Sequence, residues 1–297
     1  MKISNVVVVG GGAMGNGIAH IFATKKYKVT LVDVSAAVLE KAVATVTKNM
    51  DRQVAKGSFS EEDKTQYLSC LTTSTDLKTA VSGADLVIEA ATENEDLKKK
   101  IFKDLDEAAP AHCILATNTS SISITRIGAV TQRPDKVIGM HFMNPVPVMK
   151  LVEIIEGYAT DKTVTKTIVD LSKALDKIPQ TTQDYPGFIA NRILMPMINE
   201  AICALQEGVA GVEEIDQIMK LGMAHPMGPL QLADFIGLDV CLSILNVLHE
   251  GFGNPKYFPN PLLQNMVAAG HKGQKTGQGF YVYTAGSKDL VVAPQFS

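Results

Sequence analysis

At 297 residues, with 46% hydrophobic and 20% charged side chains, the chain can bury a sizeable core and form two domains. A formal net charge of −3 excludes the general basic field that would recruit nucleic acid or an anionic membrane, so any anionic ligand must be held locally. The four cysteines, Cys70, Cys113, Cys203 and Cys241, are widely spaced, which points to reduced, buried thiols and excludes a CxxC-type zinc site or disulfide framework; no metal is expected.

Met1–Asn5 runs straight into an apolar stretch, without the basic segment and removable apolar run of a targeting sequence. No apolar run approaches the roughly 18 residues needed to span a bilayer. A soluble cytoplasmic protein is therefore expected. In chain order the candidate strands are Val6–Val9, Lys28–Asp33, Leu71–Thr73, Leu86–Glu89, Cys113–Thr117, Val137–His141, Leu151–Ile155 and Ile178–Thr181. Helical segments alternate with them. In Ala36–Lys56, for example, Leu39, Val43, Val46, Met50 and Val54 recur near a 3.6-residue period. This alternation is the pattern of an α/β fold with a parallel sheet covered on both faces. At Asp184-Tyr185-Pro186-Gly187 the strand-like runs stop, and long helical segments such as Phe188–Glu207 and Val212–Leu221 follow. The expected division is an α/β domain over residues 1–185 and an all-α domain over 186–297. The broad apolar faces of the latter exceed what a small bundle needs, so subunit contact through them is expected.

The first strand ends in Gly10-Gly11-Gly12-Ala13-Met14-Gly15, a GxGxxG sequence at a strand-to-helix turn. Gly10 permits the tight turn, Gly12 lets a pyrophosphate approach the backbone, and Gly15 lets the helix pack close to the strand. The phosphates would rest on free N–H groups at a helix N-terminus. Asp33, 18 positions beyond Gly15, closes the next strand and can accept hydrogen bonds from the ribose hydroxyls. No arginine follows it directly to receive a 2′-phosphate, so NAD is favoured over NADP. The fold expected is a Rossmann-type doubly wound, mainly parallel sheet followed by helices.

Four further stretches carry a resemblance. Asn118-Thr119-Ser120-Ser121, His141–Glu153 with its Asn-Pro-Val-Pro turn, Pro186–Arg192 and Lys275–Tyr281 occur in the order found in the 3-hydroxyacyl-CoA dehydrogenase family, and the chain most resembles the stand-alone bacterial 3-hydroxybutyryl-CoA dehydrogenases. The resemblance implies His141 as the group that exchanges the substrate's hydroxyl proton, a task suited to imidazole. Glu153 lies 12 residues on, in a strand that the turn can fold back beside His141, where a carboxylate would orient the ring and stabilise its cation. By itself a strand-end histidine is more often structural than catalytic, and the resemblance reverses that order. Also by resemblance, Ser120 and Asn191 hold the substrate oxygens, Asn144 and Ser120 border the nicotinamide ribose, and Glu93, Lys98 and Lys275 contact NAD. Asn191 would reach a cleft between domains. Taken alone, Glu93 and Lys98 would read as the solvated start of a helix.

Lys48, Arg52 and Lys56 recur every four residues on one side of the second helix. They read equally as a solvated basic edge; Arg52 and Lys56 match the stretch that binds coenzyme A in the family. The resemblance thus implies reversible hydride transfer between NAD(H) and the 3-carbon of a short acyl-CoA of (3S) configuration, by a homodimer. Two other readings stay open: a dehydrogenase of a free 3-hydroxy acid, which would commonly use a catalytic lysine, and a non-catalytic nucleotide-binding protein.

Overall fold

The computed structural model describes residues 2–287 and 289–297, which fall into two compact units, Met1–Tyr185 and Pro186–Ser297. The first unit is built on eight strands: β1 (Asn5–Val9), β2 (Lys28–Val32), β3 (Leu71–Ser74), β4 (Leu86–Glu89), β5 (Ile114–Thr117), β6 (Val137–Phe142), β7 (Leu151–Glu156) and β8 (Ile178–Gln183). They form one sheet in the order β3-β2-β1-β4-β5-β6-β7-β8. All neighbours are parallel except β6 and β7. Strand order therefore reverses between β1 and β4, the switch point at which such sheets bind nucleotides beyond the carboxyl ends of their strands.

The eight strands expected are all present, with ends displaced by one or two residues. Apolar β-branched runs lie at the centre: Val6–Val9, Leu86–Ile88 and Ile114–Ala116 are buried, as strands covered on both faces must be. In contrast, β8 carries Pro179 and a row of Gln and Thr side chains, and it forms an edge, where a missing N–H costs no ladder bond. The helices around the sheet are α1 (Ala13–Thr24), α2 (Ala36–Ala55), α3 (Glu61–Ser69), α4 (Leu77–Val81), α5 (Glu95–Ala108), α6 (Ile124–Gly128) and α7 (Lys162–Ala174). Leu39, Ala42, Val46 and Met50 form the buried stripe of α2. Val43 and Val54, expected in that stripe, sit on its half-buried flanks.

The second unit contains α8 (Ala190–Gln206), α9 (Val212–Gly222), α10 (Pro229–Ile236), α11 (Leu238–Phe252) and α12 (Pro261–Ala268). A short antiparallel pair, β9 (Tyr281–Val282) with β10 (Val291–Val292), interrupts its helical character. Helix α8 starts two residues later than the periodicity suggests because Gly187 and Phe188 have φ of +71° and +52°, incompatible with a right-handed helix. Its core gathers Met195, Ile198, Ile202, Leu230, Leu238, Leu245, Leu248 and Phe280. Among the described residues no single helix is long and apolar enough to cross a membrane.

Candidate active site

At the end of β1 the chain turns through Gly10, whose φ is +107° and where a Cβ would lie 2.6 Å from the Ala90 carbonyl oxygen just beyond β4. A Cβ at Gly15 would collide with the Gly10 carbonyl oxygen, so only glycine lets α1 rise this close to β1. Gly12 is the N-cap of α1 and no side chain caps the helix. A Cβ added at Gly12 would meet nothing within 4 Å. An uncapped helix start beside open space is a seat for phosphate. Asp33, half-buried, accepts from the Gly11 N–H (2.8 Å) through Oδ2 and from the Ser35 N–H (3.0 Å) through Oδ1. Each oxygen retains a lone pair for a ribose hydroxyl. The donor set thus fits a dinucleotide.

Along β6 and β7 the antiparallel ladder pairs His141 directly with Glu153. Residues paired this way project from the same face of the sheet, within side-chain reach of each other. His141 is 7% and Glu153 4% exposed, and His141 Nδ1 lies 2.8 Å from Glu153 Oε2. An ionised carboxylate can only accept, so Nδ1 carries the hydrogen and Nε2 presents its lone pair. Ser120 Oγ lies 3.1 Å from Nε2 and is positioned to donate to it. The three side chains therefore form a chain from serine hydroxyl through imidazole to acid.

Glu93 holds the loop that carries Ser120. Its Oε1 accepts from the Thr119 hydroxyl (2.6 Å), the Ser120 and Ser121 N–H groups (2.8 and 3.1 Å) and the Ser121 hydroxyl (3.1 Å). Behind it, Lys98 Nζ donates to both oxygens of Glu89, at 2.8 and 2.9 Å, and stands 3.5 Å from Glu93. Lys98 is 1% and Glu89 0% exposed. Read in isolation, Lys98 looked like a solvated helix residue; it is instead enclosed, because a carboxylate at the end of a buried strand requires a cation and donors.

Residues 5–185 match the NAD binding domain of 3-hydroxyacyl-CoA dehydrogenase, and residues 187–283 match the C-terminal domain of the same enzyme. The chain belongs to the 3-hydroxyacyl-CoA dehydrogenase family. Its cofactor is NAD, in keeping with the glycine loop and Asp33. The chain is 52% identical over 281 residues to the 3-hydroxybutyryl-CoA dehydrogenase of Bradyrhizobium diazoefficiens, covering 95% of this chain and 96% of that one. It is 44% identical over 288 residues to the human mitochondrial hydroxyacyl-coenzyme A dehydrogenase, covering 95% and 91%. Among solved structures, the (S)-3-hydroxybutyryl-CoA dehydrogenase of Ralstonia eutropha superposes with a TM-score of 0.93 at 52% identity, covering 95% of this chain and all of that one.

The other candidate residues of this dehydrogenase are spread over both units. Asn144 is exposed in the connection after β6, and Lys48, Arg52 and Lys56 are exposed along α2. Asn191 is in the first turn of α8 and buried. Lys275 is ion-paired with Asp239 at 2.5 Å. Sequence reasoning gave no role to Glu89, Thr117 or Asn118. The Thr117 hydroxyl donates to Glu89 (2.7 Å), and Asn118 Oδ1 accepts from the Phe142 N–H (2.9 Å), fixing the residue next to His141. The signal for Glu89 was present: an acid closing a strand whose other three residues are apolar must find a partner inside.

Proposed function

We propose that this enzyme interconverts 3-hydroxybutyryl-CoA and acetoacetyl-CoA, with the (3S) hydroxyl as substrate, and that His141 exchanges the hydroxyl proton at Nε2. The observation that carries this reading is the hydrogen-bonded line of Ser120, His141 and Glu153, in a chain half identical to enzymes bearing that name. When bound, NAD supplies the hydride acceptor. In the oxidation, Nε2 takes the proton as the 3-hydroxyl carbon loses hydride, and Glu153 stabilises the resulting imidazolium through Nδ1–H. In the reduction, the same Nε2–H supports negative charge growing on the 3-oxo oxygen and then delivers the proton. The same residues serve both directions, the oxidation releasing one proton through His141 and the reduction taking one up.

In this reading Ser120 and Asn191 hold the substrate oxygen, while Asn144, Glu93, Lys98 and Lys275 border the cofactor. Arg52 and Lys56 receive the phosphates of coenzyme A. The N-terminal unit, residues 1–185, binds the dinucleotide; residues 186–297 bind substrate and join two copies, where Ile193, Val209, Ile218, Leu221 and Met223 offer exposed apolar surface. The cell compartment that suits this soluble-type dehydrogenase is the cytoplasm. NADH oxidation should be measured with acetoacetyl-CoA, longer 3-oxoacyl-CoA esters and free acetoacetate. Turnover of acetoacetyl-CoA far above free acetoacetate is expected; the reverse order would overturn the assignment.

A further inference from the structure

We propose that Lys177 is a positioning residue for the site, its ammonium tying down the connection between β6 and β7 and thereby fixing where Asn144 stands. The inference rests on the reading of Asn144 as a cofactor contact.

The connection, residues 143–150, joins the strand of His141 to the strand of Glu153. Its internal bonds are few: the Val148 and Met149 N–H groups both donate to the Pro145 carbonyl at 3.0 Å. Two of its carbonyls turn to Lys177 instead. Lys177 Nζ donates to Val146 O at 2.5 Å and to Met149 O at 2.7 Å, and the residue is 7% exposed. An ammonium out of water must be matched by acceptors, and here it meets the buried Val146 carbonyl and the part-buried Met149 carbonyl. Lys177 is itself fixed: its N–H donates to Ser172 O (3.0 Å), and the next residue's N–H donates to Lys150 O (2.8 Å), which opens the β7–β8 ladder.

A second pin acts on the same loop. At Gly17 of α1 a Cβ would lie 2.9 Å from Val146 Cβ, so Val146 seats in a notch that only glycine leaves. The loop is thus held sterically by α1 and electrostatically by Lys177. The charged groups facing Lys177 agree with this assignment. Burial and then Lys150 hold its pKa below the ordinary lysine value, while Asp176 opposes them. Asp176 is paired with Lys25. Burial holds the His20 pKa below the ordinary histidine value, with the Gln53 hydrogen bond opposing it and the Lys177 charge adding to it.

Lys177→Met, which fills the space without donors, tests the proposal alongside Asn144→Ala and the double variant. Two quantities are read: hydrogen exchange at the Val148 and Met149 amides, and NADH dissociation constants by fluorescence. Lys177→Met is expected to accelerate exchange at both amides and to weaken NADH about tenfold, the scale of one lost hydrogen bond. The double variant should bind NADH no worse than the weaker single variant, because coupled changes do not add. Parental exchange in a folded Lys177→Met protein, or additive losses in the double variant, would overturn the proposal. An Asn144→Ala protein with parental NADH affinity would overturn the reading of Asn144; faster exchange in Lys177→Met would then still uphold the clamp. Should Lys177→Met fail to fold, Lys177→Gln, whose shorter amide reaches at most one carbonyl, is read by the same two measurements.

Discussion

Replacing Glu153 with glutamine keeps the shape of the buried acid and removes its charge. At the 2.8 Å separation from His141 Nδ1, two unit charges in an effective dielectric of about 20 attract by roughly 6 kcal/mol. Glutamine's oxygen can still accept the Nδ1–H, so the geometry and about 1 kcal/mol of hydrogen bonding survive. With roughly half the proton's charge on the ring in the transition state, about 3 kcal/mol of stabilisation is lost, or about 10²-fold in rate. Single-turnover hydroxyacyl-CoA oxidation, followed by NADH fluorescence, should show this drop with NADH affinity unchanged and circular dichroism identical to the parent. A folded Glu153→Gln enzyme with parental single-turnover rates would refute the argument that the acid supports the imidazolium.

Asp33→Ala should erode the preference for NAD over NADP, read as the ratio of kcat/KM for NADH and NADPH; a parent that uses NADPH more efficiently would refute the role assigned to this acid. Changing Arg52 and Lys56 together to alanine should raise KM for acetoacetyl-CoA far more than for NADH, and the gap should narrow in high salt; equal losses would point to damaged folding. In the C-terminal domain, burial pushes the Asp234 carboxyl from 3.8 up to about 6, against the N–H donors of Tyr281 and Phe280 and the Tyr283 hydroxyl. The raised value makes the folded state bind this proton more tightly, so its stabilisation is complete below 3.8 and is lost as pH rises through about 6, roughly 3 kcal/mol in all. Urea unfolding should show the parent losing that much relative to Asp234→Asn over this window, and a pH-independent difference would contradict it.

The sheet was readable because its strands are short apolar runs separated by periodic helices, and the glycine loop because Gly10 and Gly15 answer steric needs at a strand-to-helix turn visible in the chain. His141 and Glu153 were readable only as a strand end and a later acid; the family resemblance selected them, and the backbone ladder then accounts for their meeting. Lys98 shows what a local reading omits. Its neighbours Glu95 and Asp96 look like an exposed first helical turn, and its burial follows from Glu89, distant enough in sequence to escape any helical period. Lys177 escaped for a related reason: its partners are carbonyl oxygens, which every residue possesses and no side-chain pattern marks. Asp216 and Asp234 share this hidden character, each accepting two backbone N–H groups and a tyrosine hydroxyl inside the C-terminal domain.

The strand order has a consequence for how the chain is made. From β1, strands β2 and β3 extend one side of the sheet in sequence, and β4 through β8 extend the other, also in sequence. Every new strand therefore joins an existing border, and none has to be threaded between two that are already paired. Domains emerging from the ribosome fold from their N-terminal side, and here the nascent chain can build its sheet in the order of translation. The histidine strand is the open border until β7 arrives. The same docking step covers that border and delivers Glu153, so the acid reaches the ring only when the strand bearing it has been sealed from competing chains.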